Sequence, residues 1–295
     1  MPVAIYQPGL KAFLGAPFRM LQADARHFQI LYLSLFLVYG IFSLGWDSDL
    51  LRIGATIGAC LLVQAIFSKI YGKSMHSLKS ALISSLGLCL LLKVNGVETI
   101  LLAASLTIAS KFLIRVQKKH IFNPVNFGII ATMLLTGDAW VSPGQWGSNA
   151  IMLYFMGAAA LIVLLKVGRI DTSLAFLLSY SGLEFVRTAL YLGWPVDHFL
   201  HHITNGTVLL FTFFMITDPM TTPNHPKARI VWAVMVGLLA FVLAHVFYLQ
   251  SSAPIWALFI ISPLTIAFDK VMQHTKYQWR KGEGTPLRGD GVRGA

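Results

Sequence analysis

Ten stretches of apolar residues run along this chain, separated by short polar loops. A helix crosses the apolar core of a bilayer with about 20 residues, and half-helices held by protein need fewer. A soluble protein could not bury this much apolar surface, since 56% of the 295 residues are hydrophobic and only 12% are charged. The pattern predicts an all-α integral membrane protein with ten transmembrane spans, at residues 28–46, 50–68, 78–92, 97–114, 124–141, 148–166, 172–192, 203–217, 229–249 and 253–270.

The lysines and arginines alternate between the loops. The N-terminus, the even-numbered loops and the C-terminal tail are basic, whereas the odd-numbered loops carry few basic residues. By the positive-inside rule, both termini and the even-numbered loops are cytoplasmic. The net charge of +11 is therefore explained by membrane topology, and no nucleic-acid partner is expected beside the lipid bilayer.

The third and eighth spans are short and have polar heads. They occupy matching positions in two sets of five spans, and an odd number of spans places the two sets in opposite orientations. This is the pattern of an inverted repeat with paired broken helices. The predicted units are an interfacial N-terminal segment at 1–27, membrane repeats at 28–141 and 148–270, and a disordered basic tail at 271–295. Lys79 and Ser80, at the head of the third span, are candidate binding residues.

A second group of candidates opens the fifth span. Asn123 before Pro124 suits a helix N-cap with proline in the first turn. Capping alone does not explain Asn126 and Gly128 together. We expect Asn126 to face inward or bind a ligand, and Gly128 to admit a neighbouring backbone or a flat ring at close range.

The eighth span carries polar residues at both ends. Their hydroxyl, amide and carboxyl groups could bond the edge of a flavin, a quinone carbonyl or a small solute. The alternative is a stiff structural turn with a solvated aspartate. The candidates are Asn205, Gly206 and Thr207 at the head and Thr217, Asp218, Thr221 and Thr222 at the close.

Ionisable residues inside the spans suggest an ion pathway. Glu184 and Arg187 are three residues apart in the seventh span, so we expect them to pair and to face the bundle, with a proton or ion relay as one possible role. His198, His201 and His202 share one face if their segment is helical, which makes them weak metal candidates beside the simpler reading as interfacial histidines. Two cysteines are too few for a cysteine-based zinc site or an iron–sulfur cluster.

Four stretches, 77–92, 118–132, 167–178 and 205–239, make the chain resemble a known family. They include FNPVNFG at 122–128 and TDPMTTP at 217–223. The chain is similar to the RnfD subunits of Rnf-type electron-transport complexes and the NqrB subunits of sodium-pumping NADH:quinone oxidoreductases. The resemblance implies ten spans in two inverted repeats, a fold like that of urea and ammonium channels, and a place in the bacterial inner membrane.

In that family the subunit carries flavin and helps to couple electron flow to ion movement. One FMN is attached to a threonine of a Ser/Thr-Gly-Ala-Thr motif in an insertion after the fifth span. This chain has a short loop there, at 137–147, and contains no Ser-Gly-Ala-Thr. Covalent FMN is therefore not expected, whereas non-covalent FMN or riboflavin remains a candidate cofactor.

Two functions follow as alternatives. The first is the membrane subunit of an electron-transport complex, which binds flavin or quinone and works with other membrane or redox subunits. The second is a stand-alone transporter or channel for a small, flavin-like solute, with Asn126, Thr207, Asp218 and Glu184 along the path. The chain has no Walker A loop and no dinucleotide-binding glycine motif, so it is at most an accessory subunit of an oxidoreductase.

Overall fold

The computed structural model describes residues 24–46, 50–72, 77–117, 119–142 and 150–277, without the side chains of residues 25 and 150–155. Most of the predicted N-terminal segment, the end of the basic tail and part of the 137–147 loop lie outside these residues. The first half contains helices α1 (Ala25–Phe42), α2 (Leu50–Ile70), α3 (Leu78–Leu91), α4 (Val97–Leu113) and α5 (Pro124–Thr136).

The described residues of the second half contain seven further helices, four of which have nine residues or fewer. They are α6 (Ala150–Val167), α7 (Ile170–Phe185), α8 (Val196–Ile203), α9 (Gly206–Leu210), α10 (Pro226–His245), α11 (Ala253–Ile261) and α12 (Leu264–Val271). Wider π-helical turns continue α7 at Val186–Tyr191 and α9 at Phe211–Met215. A single 3-10 turn, Gln250–Ser252, precedes α11.

Each predicted span contains a helix, and the length of the helices varies. Within the described residues, Leu50–Ile70 and Pro226–His245 are long and apolar enough to cross a membrane alone. The pair Gln250–Ile261 and Leu264–Val271, bent by 48°, would raise the number of spans to three. Large apolar side chains are exposed on the helices, including Leu178 at 72% and Leu135 at 67%. These features are consistent with an all-helical membrane protein.

The predicted spans 78–92 and 124–141 each end in a short β-strand and not in helix. Strand β1 (Leu92–Val94) pairs antiparallel with β4 (Ala139–Val141), so the fifth helix does not extend to residue 141 as predicted. The physical reason is Gly137, which closes α5 in the left-handed conformation at φ 63°. A second small pair, β2 (Arg115–Val116) and β3 (Lys119–His120), forms a hairpin before α5.

The two halves pack in corresponding ways. Helix α2 packs on α4 as α7 packs on α10, and α4 packs on α5 as α10 packs on α11. Helix α1 packs on α3, and α6 packs on the π-helical turn after α9. Contacts of α1 with α6 and of α5 with α11 join the halves.

Small residues allow two of the helix crossings. A Cβ atom on Gly128 would overlap Oγ1 of Thr107, and one on Gly237 would overlap Oγ of Ser179. Helix α5 therefore approaches α4 closely, and α10 approaches α7 closely, because each pair has a glycine at the crossing.

Candidate functional site

A cavity lies where α1, α3, the start of α5 and the π-helical turn after α9 meet. Its walls are largely apolar, and its polar lining includes Gln29, Ser80, Ser84, His120, Asn123 and Asp218. The cavity has room for on the order of seven to ten water molecules, or roughly 200–300 Å³ of liquid. Apolar walls with a few polar groups are the usual character of a small-molecule site.

Asn123 joins the two halves of the chain at this cavity. Its Oδ1 accepts hydrogen bonds from the backbone N–H groups of Val125 (3.0 Å) and Asn126 (3.2 Å), which confirms the predicted N-cap. Its Nδ2 donates to the carbonyl of Met215 (3.3 Å) and to Oδ2 of Asp218 (3.4 Å). One amide thereby connects the start of α5 to the end of the eighth predicted span.

Asp218 ends that span and turns its carboxyl group toward the cavity. Oδ1 accepts from the backbone N–H of Met220 at 3.0 Å. Burial raises the pKa of Asp218 above its ordinary value, although the Met220 hydrogen bond and the charges of Lys111, Arg169 and Lys119 act in the opposite direction. Burial therefore favours the protonated form of Asp218 more than in an exposed aspartate.

Ser80 is the second predicted residue at the cavity. The buried Nζ of Lys111, on α4, donates to its carbonyl (2.9 Å) and to its Oγ (3.2 Å). We define the Asp218 cluster as Ser80, Lys111, Asn123 and Asp218. Lysine at such depth is costly, so its charge is held by hydrogen bonds at one end of the cavity.

The residues at the head of the eighth span lie at the other end of that helix. The side chain of Asn205 caps α9 by accepting from the N–H of Thr207 at 2.9 Å. The Thr207 hydroxyl donates to the carbonyl of Ser142 at 2.5 Å, and Gly206 is buried beside it. Ten residues of helix, Gly206 to Met215, separate this group from Asp218, so Asn205, Gly206 and Thr207 are not part of the cavity.

Three other predicted residues make structural contacts away from the cavity. Asn126 donates from Nδ2 to the carbonyl of Ile255 at 2.7 Å and thereby ties α5 to α11. Gly128 does receive a close neighbour, and that neighbour is Thr107 of α4. The ammonium group of Lys79 lies 2.6 Å from Nε2 of His27 and 3.6 Å from Asp24.

The threonines around Asp218 complete its turn. The hydroxyl of Thr217 donates to the carbonyl of Phe213 at 2.8 Å, and that of Thr221 to the carbonyl of Asp218 at 3.2 Å. The carbonyl of Thr222 accepts from Nζ of Lys119. These side chains shape the turn, which leaves Asp218 as the member that faces the cavity.

Glu184 has different partners from the one predicted. Its carboxylate contacts Nε2 of His245 at 2.6 Å and Nδ1 of His202 at 3.7 Å. Among the described residues no ion pair joins it to Arg187, so the predicted pairing is wrong. The reason is that α7 widens into a π-helical turn at Val186, which changes the spacing on which an i, i+3 pair depends. We call Glu184, His202 and His245 the Glu184 cluster.

The predicted histidine segment is helical, as α8. Of the three histidines in this segment, His202 contacts the Glu184 carboxylate. The ring of His198 packs edge-on against that of Trp194, with 4.6 Å between the ring centres. In the part of the chain that the structure describes, no three His, Cys, Asp or Glu residues are placed to hold a metal ion.

Comparison with known proteins gives the chain a family. A family model described as the NQR2, RnfD, RnfE family matches residues 103–278, which is more than half of the chain. The chain belongs to this family. The match contains Lys111, Asn123, Asp218 and Glu184, whereas Ser80 and the stretch at 77–92 lie before it.

Relatives within the NQR2, RnfD, RnfE family share one name, which describes the D-type component of an ion-translocating oxidoreductase complex. The protein of Stutzerimonas stutzeri is 26% identical over 57% of this chain and 48% of its own length. That of Shewanella loihica is 30% identical over 39% of this chain and 33% of its own, and that of Tolumonas auensis 28% over 38% and 32%. The chain thus spans half the length or less of the curated relatives it matches.

Two of the stretches that resemble the family meet through a partly buried ion pair. Nη2 of Arg229, on α10, lies 2.6 Å from Oδ2 of Asp171, on α7, and Nη1 donates to the carbonyl of Asn224 at 2.8 Å. The pair joins the family stretches at 167–178 and 205–239. This contact holds the turn that follows Asp218 against the rest of the second half.

Several residues in or beside the cavity were not predicted from the sequence. Lys111, which bonds the cavity residue Ser80, carried a usable signal, because a charged residue inside an apolar span is costly. His120 carried a weaker one, since it lies two residues before the FNPVNFG stretch. Gln29 and Ser84 carried none, because single polar residues on helices do not show which face is buried.

Proposed function

We propose that this chain is the membrane subunit of an electron-transport complex and binds a flavin or quinone ring, without a covalent bond, in the cavity beside the Asp218 cluster. The observation that carries the proposal is the cavity itself, which takes its walls from both halves of the chain and most of its polar groups from three of the four stretches that resemble the family. The whole assembly would contribute to transmembrane transport coupled to electron flow.

The proposed topology is ten spans in two inverted repeats of a bacterial inner-membrane protein, with both termini in the cytoplasm. The corresponding packing of α2 on α4 and of α7 on α10 supports the repeat. The alternation of basic loops supports the orientation. In this arrangement the Asp218 cluster lies toward the cytoplasm and the Glu184 cluster toward the outside.

The residues at the cavity suit one face and one edge of a flat ring. Leu33, Leu210 and Met215 provide apolar walls, while Asn123 and Asp218 provide a donor and an acceptor at one side. A bound flavin or quinone would supply the electron-accepting chemistry. The chain's own part is to hold the ring and keep water from it, and the carboxyl group of Asp218 can hold or release a proton at its edge.

The names of the relatives support the assembly. Each is named as a component of an ion-translocating oxidoreductase complex, so we propose further membrane or redox subunits as partners. The Glu184 cluster is a candidate proton or ion relay in such a complex, because its carboxylate is 1% exposed and contacts two titratable histidines.

One observation favours a second function. The chain lacks the Ser-Gly-Ala-Thr motif. A stand-alone transporter for a small, flavin-like solute would need the same cavity and no attached cofactor. The two functions differ in whether the bound molecule remains with the purified protein.

The deciding experiment is the visible spectrum of the detergent-purified protein, before and after denaturation and filtration. Yellow colour that is lost on filtration supports the proposed electron-transfer role. Colour that stays with the denatured chain would show a covalent flavin. A colourless protein that binds neither riboflavin, FMN nor a short-chain quinone would contradict the proposal, whereas weak, reversible riboflavin binding would favour transport.

A second experiment tests the topology. Single cysteines replace Ser142 and Thr275 in a chain that lacks Cys60 and Cys89, and intact inverted or right-side-out vesicles are treated with an impermeant thiol reagent. The proposed orientation predicts that the position at 142 is labelled from the outside and the one at 275 from the cytoplasmic side. Labelling of both from one side would contradict the ten-span arrangement.

A further inference from the structure

A second, larger cleft opens beside the cavity. It lies between the β2–β3 hairpin, the turn at Asn224, helix α12 and the residues that follow it. It has roughly three times the volume of the cavity, with room for on the order of twenty to thirty water molecules. His120 lines both spaces, so one side chain forms a wall of each.

The cleft carries an excess of positive charge. Lys119, Lys270 and Lys276 line it together with one acidic residue, Asp269, which leaves two positive charges in excess when the histidines are neutral. Asp269 is already occupied: Oδ2 lies 2.6 Å from Nζ of Lys119, and Oδ1 accepts from the N–H of Asn224 at 2.8 Å. The charges of Lys270 and Lys276 are therefore not neutralised by it.

The two remaining lysines are exposed at the cleft. Nζ of Lys276 donates one hydrogen bond to the carbonyl of Gln117 at 3.2 Å and has two further donors. Within the described residues, no carboxylate forms an ion pair with Lys270 or Lys276. A concave surface of one charge sign raises the local concentration of ions of the opposite sign, so the cleft attracts anions.

A buried hydroxyl group marks the wall of the cleft. Thr265 lines it, is 1% exposed, and its Oγ1 has no hydrogen-bond partner among the described residues. Buried hydroxyl groups are nearly always hydrogen-bonded, because desolvation without a partner is unfavourable. This donor is independent of the lysines and lies in the wall of the cleft with its hydrogen-bonding capacity unused.

We infer that the cleft is an anion site that binds the phosphate group of a ligand through Lys270, Lys276 and the hydroxyl of Thr265. Phosphate accepts several charge-assisted hydrogen bonds from ammonium and hydroxyl groups at once. The group could belong to a free phosphate ester, including one whose ring lies in the neighbouring cavity, or to an anionic lipid. The inference stands on the cleft alone and does not require the proposed function.

The test measures thermal unfolding of the detergent-purified full chain in increasing inorganic phosphate or pyrophosphate, at constant ionic strength. The variants are K270Q/K276Q and T265V. The matched control is K166Q/K227Q, which removes two exposed lysines that do not line the cleft. We expect phosphate to stabilise the wild type and the control equally, to bind K270Q/K276Q about tenfold more weakly, and T265V about fivefold more weakly.

T265V also separates binding from folding. A hydroxyl that serves only the fold would lower the unfolding temperature when removed, whereas an unpartnered hydroxyl should leave it unchanged or raise it in the absence of phosphate. Unchanged stability with weakened phosphate binding is the expected result. Equal stabilisation of all four proteins, or of none, would overturn the inference.

Two further arms identify the source of the phosphate. FMN that binds the wild type more tightly than riboflavin, with the difference lost in K270Q/K276Q, supports a phosphate ester that reaches from the cavity. Retention of phosphatidylglycerol over phosphatidylcholine from mixed micelles, lost in the same variant, supports a lipid headgroup. Riboflavin binding without any phosphate effect would overturn this inference and leave the proposed function intact; phosphate binding by a chain that binds neither riboflavin nor a short-chain quinone would do the reverse.

Discussion

Asp218 and Glu184, the carboxyl groups of the two clusters, are stabilised in different ways. Asp218 accepts hydrogen bonds from a backbone N–H group and an asparagine, and the cationic group of Lys111 belongs to the same cluster but is bonded to Ser80. Glu184 instead contacts two histidines directly. The Asp218 cluster takes its members from both halves of the chain, whereas the Glu184 cluster lies within the second half.

The Asp218 cluster therefore has the features of a binding site, whereas the Glu184 cluster is a contact between helices. Neutral hydrogen bonds leave the Asp218 carboxyl group partly available to a ligand in the cavity that it lines. Oε1 of Glu184, on α7, lies 2.6 Å from Nε2 of His245, on α10, and this contact joins the two helices. We therefore expect substitutions in the Asp218 cluster to change binding more than stability, and substitutions in the Glu184 cluster to do the opposite.

The largest effect is expected at His245. Replacement by leucine leaves the Glu184 carboxylate buried without its nearest partner, and breaking a buried pair in this way costs about 3 kcal/mol. Unfolding of the purified protein in detergent should show the loss. R187Q is the control and should change stability by less than about 1 kcal/mol, since Arg187 has no part in the cluster. Equal losses in both variants would restore the pairing predicted from sequence.

The double substitution E184L/H245L tests whether Glu184 and His245 stabilise the fold as a pair. Because it removes both polar partners, it should recover most of the stability that H245L loses. Measurement of both single variants and the double variant gives the coupling between the residues. A double variant as unstable as the sum of the single ones would mean that the two side chains act independently.

Gly128→Ala should have the next largest effect. The added methyl group meets Thr107, so the α4–α5 crossing must shift, at a cost of about 1–3 kcal/mol. Gly182→Ala is the matched control, because no atom lies within 4 Å of a Cβ atom there. Thermal unfolding of both variants checks the prediction, and an unaltered G128A would argue against the close crossing.

Two capping asparagines offer a paired test of binding. Asn123→Ala and Asn205→Ala each remove an N-cap and should each cost about 1 kcal/mol of stability. Only Asn123 lines the cavity, so only N123A should also weaken riboflavin or quinone binding, by about tenfold. Fluorescence titration measures the binding. Comparable losses of affinity in both variants would place the ligand elsewhere.

The smallest effect is a pH dependence at Asp218. Burial raises its pKa, so the folded state favours the protonated form and gains stability at acid pH. The difference in stability between the wild type and D218N should be most favourable to the wild type below about pH 4, the pKa of an unfolded aspartate. It should decline as the pH rises toward the raised pKa of the folded state. A difference that grows with pH would mean that Asp218 is held as a stabilised anion.

Much of the local structure could be predicted because its causes are local. The positions of the helices follow from runs of apolar residues, and the N-caps at Asn123 and Asn205 follow from a short polar side chain before a helix. The family was also evident from contiguous stretches. The sequence predicted three cavity residues, Ser80, Asn123 and Asp218, because polar groups at the ends of short spans need partners.

Partners across the chain could not be predicted in the same way. The spacing of Glu184 and Arg187 suggested a pair, but the π-helical turn changed their relation and α10 brought His245 to the carboxylate. Likewise, Asn205 and Asp218 lie at opposite ends of the predicted span 203–217, and the helical residues between them keep Asn205 out of the cavity. Such contacts depend on how helices are rotated and crossed, which no single stretch contains.

The sequence by itself determined the apolar helices, their caps and the family, because each depends on neighbouring residues or on contiguous stretches. Only the tertiary structure decided that Ser80, Asn123 and Asp218 share a cavity, that Gly128 receives Thr107, and that the strand pair β1–β4 replaces the ends of two spans. The physical reason is that close packing fixes distances between residues far apart in the chain, and those distances decide which polar groups meet.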